Sequence, residues 1–444
     1  VKKLLSVVLS VILVSTLAAC SGGNVSQAPS PEAPKPETSA SEAAPAEKEK
    51  IVVWAWDKNF NIAAMEEAKK VYTNLNPNVE IEIVEFAQSD IIQKLNTGLG
   101  SGSADDMPNI VLIEDYRSQT FLKSFPGSFR DLTGKVNHKD FANFKLGFMT
   151  IDGKCYGVPF DAGTTALFYR KDLIEQAGYT EADMQDMTWD KYIEIGKAVK
   201  EKTGKYMLTL DPNDMGQLRI MMQTAGEWYV KPDGAIPNFE GNKALEESAE
   251  IYKSMMDSGI SKTISEWAQF VGAANGGEVA TVPTGCWFTA SIAAEASQSG
   301  QWRVAPIPRL SKTANSVNAS NLGGSSWYVL DKVPGGDTAV DFLAKTFGSD
   351  TEFYQTLLTN VGAIGTYTPA QSGAAYDTSV EFFGGQKIYK DISSWTSKIP
   401  SVNYGLHTYA FEDIMKAEMQ NVMSGTPVQT ALANAQKQAE AQIQ

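Results

Sequence analysis

The sequence predicts an α/β fold built on a mainly parallel sheet with flanking helices. Three observations carry that expectation. Strand and helix patterns alternate from residue 51 to 113, helical periodicity dominates about residues 180–300, and strand character returns over 302–347 before helices close the chain. Strands linked through intervening helices need crossover connections, which leave neighbouring strands parallel.

The first strand reads "IVVWAWDKNF" (51–60), an apolar run that leaves through Trp56, Asp57 and Asn59. Over 60–76, Ala64, Ala68, Val71, Tyr72 and Leu75 recur at helical spacing until Asn76, Pro77 and Asn78 stop the pattern. "VEIEIVEF" (79–86) alternates apolar and polar residues, as a strand does. Ser89 and Asp90 open a second helical run through Leu99, closed by "GSGSADD", and "NIVLI" (109–113) is a short buried strand ending in Glu114, Asp115 and Tyr116. In open sheets of this kind ligands bind beyond the carboxyl ends of the strands, where Trp56–Asp57 and Glu114–Tyr116 fall.

"YGVPFDAGTTALFYRKDLIEQAG" (156–178) changes path at Pro159 and Asp161, then gives the strand-like "ALFYR" and a helix start at Lys171. A mainly helical stretch follows, including "TWDKYIEIGKAVKEKTG" and "LEESAEIYKSMMDSGI". "WRVAPIP" and "SSWYVL" read as strands and "DTAVDFLAKTF" as a helix. The last helices are expected at 408–424 and 427–443, with Thr426 as N-cap and Pro427 in the first turn. No internal repeat is present.

The N-terminal segment has its own signals. Lys2 and Lys3 precede an apolar run from Leu4 to Leu13 and then "VSTLAAC", the pattern of a cleaved secretory signal over 1–19, too short to span a membrane. Residues 21–50 are rich in Ser, Ala, Pro and Glu, a composition that cannot offset its own ordering entropy and so predicts a disordered tether.

Composition excludes several classes. The chain carries a formal net charge of −14 without a basic stripe, which argues against nucleic acid and against adsorption to anionic lipid. With two histidines, His138 and His407, and no Cys/His spacing of metal type, neither a zinc site nor another metal or cofactor is expected. Neither histidine stands near a nucleophile motif. Cys155 and Cys286 are open to two readings, a disulfide or two separately buried thiols.

Several segments match one family in order and spacing. Leu17-Ala18-Ala19-Cys20 resembles the bacterial lipobox, and "YGVPFDAGTTALFYRKDLI", "NGGEVATVPTGCWFTASI", "WRVAPIPRL", "GGSSWYVL" and "VGAIGTYTPA" follow. Over 51–444 the chain resembles the extracellular solute-binding proteins of carbohydrate ABC importers, of which maltodextrin-binding protein is the familiar relative. The resemblance implies a two-lobed, periplasmic-binding-protein-like α/β fold, with lobe 1 at 51–161 plus 315–372 and lobe 2 at 162–314 plus 373–444. Hinge strands would cross near 161–168, 312–322 and 368–375. It further implies an oligosaccharide ligand between the lobes, ABC permease subunits as partners, no catalysis and a monomer. Cys20 would carry the lipid anchor at the extracellular face of the bacterial cell membrane, with 20–50 as anchor and linker.

Sugars present a weakly polar C–H face and a rim of hydroxyls, so a sugar cleft joins aromatic rings to carboxylates and amides. Strand-end position nominates Trp56, Asp57, Asn59, Glu114, Asp115 and Tyr116, while Trp54 lies inside the apolar run and is assigned to core. Asp161, Thr164 and Thr165 enter the hinge, and Gly324 and Ser325 sit in "NLGGSSW". Trp228 and Trp267 are candidates for which helix packing competes. Trp287 matches an aromatic that commonly stacks on sugar in the family, which also places an aromatic near Trp395, Asn403 and Tyr404. A glycoside hydrolase is the enzymatic alternative, and a tethered surface carbohydrate receptor or adhesin is a third reading.

Overall fold

A computed structural model describes residues 48–443. The expected signal segment, Cys20 and nearly all of the linker lie outside the described residues.

The larger sheet has five strands in the spatial order Val79–Glu85, Glu49–Ala55, Ile110–Glu114, Ser325–Val329, Gly157–Pro159. The first three pair in parallel, as the alternation with helices Asn61–Leu75 and Gln88–Ser101 requires. The late strand Ser325–Val329 inserts antiparallel to both of its neighbours. Being antiparallel, it brings its own N-terminus to the edge where the other strands present their C-termini. Trp56, Glu114, Asp161 and Gly324 therefore come to one side of the sheet.

The second region departs from a mainly parallel sheet. Thr165–Arg170 is flanked by Thr281–Gly285 and Trp302–Pro306, and both pairings are antiparallel. Residues 171–280 separate the first two strands, so sequence order carries no information on their relative direction. A parallel pair, Leu208–Leu210 with Ser261–Thr263, lies within the stretch read as mainly helical. Its helices include Trp189–Thr203, Gly216–Thr224, Lys243–Asp257 and Trp267–Asn275.

The chain passes between the two sheets over 160–164 and again over 307–324. It passes a third time after Thr351–Val361, which packs on the first helix, and before Ile388–Thr396, which packs on Trp302–Pro306. The first two passages touch backbone to backbone: Leu322 N donates to Gly163 O at 2.7 Å and Thr165 N to Ser320 O at 2.9 Å. The closing helices are Thr408–Met423 and Val428–Gln442, with Pro427 at the N-cap position, one residue earlier in the capping frame than expected.

Cys155 and Cys286 are both buried free thiols, which settles their pairing. Cys286 Sγ donates to Ala162 O at 3.1 Å, and burial pushes the Cys155 thiol up to about 11, so neither is a reactive thiolate. Among the described residues no helix is long and apolar enough to cross a membrane, and no group of three or more His, Cys, Asp or Glu can hold a metal.

Candidate functional site

A cleft of about 1020 Å³ lies between the two sheets, at the edge that collects the strand ends. One wall comes from the five-stranded sheet. Trp56 follows the first strand half-buried, and Asp57 and Asn59 are exposed. Their loop is shaped by Asn61, whose Oδ1 accepts from Trp56 N and Asp57 N at 3.2 and 3.1 Å. Asp57 Oδ1 accepts from Asn59 N and Phe60 N, at 2.9 and 3.1 Å. Trp54, one pleat earlier, is 6% exposed and packs edge-on against Phe86, so the two tryptophans of "VVWAWD" divide between core and cleft.

The opposite wall is also made of strand ends. Leu208–Leu210 delivers Asp211, Ser261–Thr263 leads to Glu266 and Trp267, and Thr281–Gly285 delivers Trp287. Trp267, 56% exposed, lies 5.8 Å from Trp287 and 5.4 Å from Phe270 between ring centroids. Trp287 is held in place by its Nε1, which donates to Leu322 O at 2.9 Å. The three rings make a continuous apolar face.

The floor is where the crossings meet. Asp161 Oδ1 accepts from Ser325 N at 2.8 Å and Ser325 Oγ at 2.6 Å. Lys145 Nζ donates to Asp115, to Asp161 O at 3.0 Å and to Ser325 O at 3.0 Å, all out of solvent. Burial pushes Asp115 up to about 7 against the pull of Lys145, and raises Asp161 for the same reason. Side chains have no room here. A Cβ on Gly163 would collide with Leu322 O, and one on Gly324, at φ +89°, would stand 2.7 Å from Asp115 Oδ2.

Glu114 and Tyr116 join the floor to the far side. Glu114 Oε2 accepts from Tyr409 Oη at 2.5 Å and pairs with Arg117 at 3.5 Å. Tyr116 Oη donates to Asn321 O at 3.4 Å and accepts from Gly323 N at 3.2 Å.

The structure thus brings Trp56, Asp57, Asn59, Glu114, Tyr116, Asp161, Trp267, Trp287, Gly324 and Ser325 to the cleft. Seven other candidates are not on it. Asp115 is turned inward onto Lys145 and Ser326 Oγ (2.9 Å), because a carboxylate facing the sheet interior needs those donors. Thr164 bonds Thr396 Oγ1 at 2.7 Å and Thr165 bonds Ser320 O at 3.1 Å, both fully buried. Trp395 is buried in the core at 8% exposure. Trp228 Nε1 donates to Thr408 Oγ1 at 3.1 Å, and Tyr404 Oη donates to Gln223 Oε1 at 3.2 Å. These two rings pack with Tyr116 and Phe148 at centroid distances of 4.7–5.5 Å, in an aromatic pivot behind the cleft. Asn403 holds a neighbouring loop through Pro232 O at 3.2 Å.

Sequence reasoning missed Asp211, Asp214, Gln217, Arg219, Glu266, Phe270 and Tyr409. For the first two a signal existed: "YMLTLDPND" repeats, in shorter form, the exit of an apolar strand into aspartate. The helices around it hid it.

The model of the bacterial extracellular solute-binding protein family matches residues 63–383. A lactose-binding protein of Rhizobium radiobacter is 44% identical over 394 residues, covering 89% of this chain and 93% of its own. The chain belongs to the bacterial extracellular solute-binding proteins. The two-lobed α/β fold and the sugar-importer class of binding protein are the ones that the ordered motifs predicted. The GacH receptor of Streptomyces glaucescens, solved unliganded and with acarbose, superposes with a TM-score of 0.74 at 20% identity, covering 89% of this solute-binding protein and 98% of the receptor. An ABC transporter associated binding protein from B. animalis subsp. lactis Bl-04, in complex with β-1,6-galactobiose, gives 0.70 at 23% identity, with 88% and 97% covered.

Proposed function

We propose that this protein binds lactose or a closely related β-galactoside in the cleft and hands it to an ABC-type permease, without transforming it. The observation that carries the reading is the 44% identity, across nearly the whole length, to a lactose-binding protein. The chemistry of the cleft supports it: an apolar wall of Trp267, Phe270 and Trp287 faces Trp56 across a rim of carboxylates and amides. Aromatic faces cover the C–H surface of a pyranose, and charged acceptors take its hydroxyl protons. The ligand-binding set is Trp56, Asp57, Asn59, Glu114, Tyr116, Asp161, Trp267, Trp287, Gly324 and Ser325.

The lobes are 51–161 plus 315–372 and 162–314 plus 373–444, and they close on the sugar about the three crossings. The protein is a monomer, held at the extracellular face of the cell membrane by lipid on Cys20, with 21–50 as a tether on the order of 100 Å when extended. Cys20→Ala should release it from the membrane fraction; retention there defeats the anchor.

Calorimetric titration of the mature chain against lactose, β-galactobiose, maltose and arabino-oligosaccharides tests the ligand. The tightest binding is expected for lactose or galactobiose, with the sugar recovered unchanged by chromatography. Preference for maltose or arabinose oligomers overturns the galactoside, and released monosaccharide at catalytic rates overturns the binding role in favour of a hydrolase.

A further inference from the structure

Arg219, on the helix Gly216–Thr224, is 7% exposed and borders the cleft. Its guanidinium carbon lies 4.9 Å from the Tyr116 ring centroid and 5.9 Å from that of Tyr409, so two aromatic rings back it. Nη2 donates to Asp214 Oδ1 at 3.2 Å. Nε lies 3.1 Å from Glu412 Oε2, yet the two are not aligned for a hydrogen bond, and both remain without a partner. Among the described residues Nη1 bonds nothing. Asp214, 61% exposed at its side chain, uses the same Oδ1 for Gly216 N at 2.8 Å and keeps Oδ2 free. A planar donor fork and a carboxylate thus stand side by side at the cleft with open valences.

We infer that Arg219 and Asp214 are the specificity-determining polar pair of the cleft and read two neighbouring hydroxyls of an uncharged sugar. The inference rests on the sugar reading above. A hydroxyl both donates and accepts, so adjacent hydroxyls match a guanidinium donor beside a carboxylate acceptor. The fork is rigid and already packed, so little ordering entropy is lost when it engages. The charge balance selects against anions. Glu412 and Asp214 already match the charge of Arg219, with Lys416 3.6 Å behind Glu412. Asp57, Glu114, Asp211 and Glu266 add further negative charge around the cleft. A carboxylated or phosphorylated sugar meets this surplus, and a neutral one does not.

The experiment is calorimetric titration of wild type, Arg219→Lys and Asp214→Asn with the tightest-binding sugar of the panel, its monodeoxy analogues, and a derivative carrying a carboxylate. Arg219→Lys keeps charge and loses the fork; Asp214→Asn alters an exposed side chain and keeps the test usable if the lysine variant does not fold. One or two deoxy analogues should bind wild type about tenfold or more weakly, since a site built to bond a hydroxyl rejects its absence. That penalty should fall to about threefold or less in both variants, with penalties at other positions unchanged. The carboxylated derivative should bind wild type about tenfold more weakly than the parent, with the gap narrowing as salt rises. If both variants keep every deoxy penalty while wild type binds sugar, the Arg219–Asp214 assignment is overturned and the sugar reading stands. Equal or tighter binding of the carboxylated sugar overturns the selection for neutral ligands. A wild type that binds no sugar overturns the sugar reading and this inference with it.

Discussion

The molecule has two aromatic assemblies a few residues apart in space, and they do opposite things. Behind the cleft, Tyr116, Phe148, Trp228 and Tyr404 pack edge and face together, and the polar tips of Tyr116, Trp228 and Tyr404 are each taken by a protein partner. On the cleft wall, Trp267 and Trp287 keep open ring surface, although Trp287 too spends its N–H on the fold. What separates a pivot from a binding surface is therefore the exposed face of the ring and not the bonding of its edge. Both assemblies are aromatic rings beside polar residues, which is why sequence placed Trp228 and Tyr404 with the ligand set.

The strongest way to break this contrast is Trp228→Ala. Truncating a fully buried Trp should destabilise the protein by about 3–5 kcal/mol. Chemical denaturation would show it, and a loss below about 1 kcal/mol would deny the pivot its structural role. Next come Trp287→Ala and Trp267→Ala, each expected to weaken sugar binding by about 1–3 kcal/mol, on the scale of stacking platforms for nucleobases. For Trp267, mostly exposed, the unfolding midpoint should stay where it is. Unchanged affinity in a folded variant removes that ring from the site.

The smallest effect probes the floor between the two assemblies. Asp115 is raised to about 7, whereas an unfolded aspartate titrates near 4. Between those values the folded chain holds a proton that the unfolded chain has released, so this group's contribution to stability declines as pH rises from about 4 to 7 and is flat above. Buried Asp161, also raised, acts in the same sense. Going from pH 8 to 6 should stabilise the protein by about 1 kcal/mol through Asp115. In Asp115→Asn that slope should flatten; an unaltered slope in denaturation midpoints would assign the titration elsewhere.

The elements before residue 115 were legible because each strand and helix there follows its own periodicity, and Trp56, Asp57 and Glu114 came with them as strand ends. Trp54 and Trp56 share a face by strand alternation, and what divides them is position: Trp54 lies inside the apolar strand and Trp56 just past its end. The opposite wall was harder. Leu208–Leu210 and Ser261–Thr263 are three-residue strands, too short for alternation to register, so Asp211 was masked by the helices around it and Glu266 had no signal, although Trp267 stood out as a residue type. Arg219 was unreadable for another reason: its role depends on Tyr116, Asp214 and Glu412, which the fold brings together from distant stretches. Asp115, Thr164 and Thr165 failed as candidates because their polar atoms are taken by buried partners from distant stretches: Lys145 and Ser326 for Asp115, Thr396 for Thr164 and Ser320 for Thr165.

The close passage of the two crossing segments sets where this protein can acquire new ligands. At Gly163 and Gly324 there is no volume for even a methyl group, whereas Asp214, Glu266 and Trp267 stand on the walls with solvent around them. Directed evolution toward another solute therefore faces an uneven search space. Libraries at 214, 266 and 267 should return folded proteins with altered preference, while libraries at 163 and 324 should return chiefly misfolded chains. The solute repertoire is adjustable from the sides and fixed from beneath.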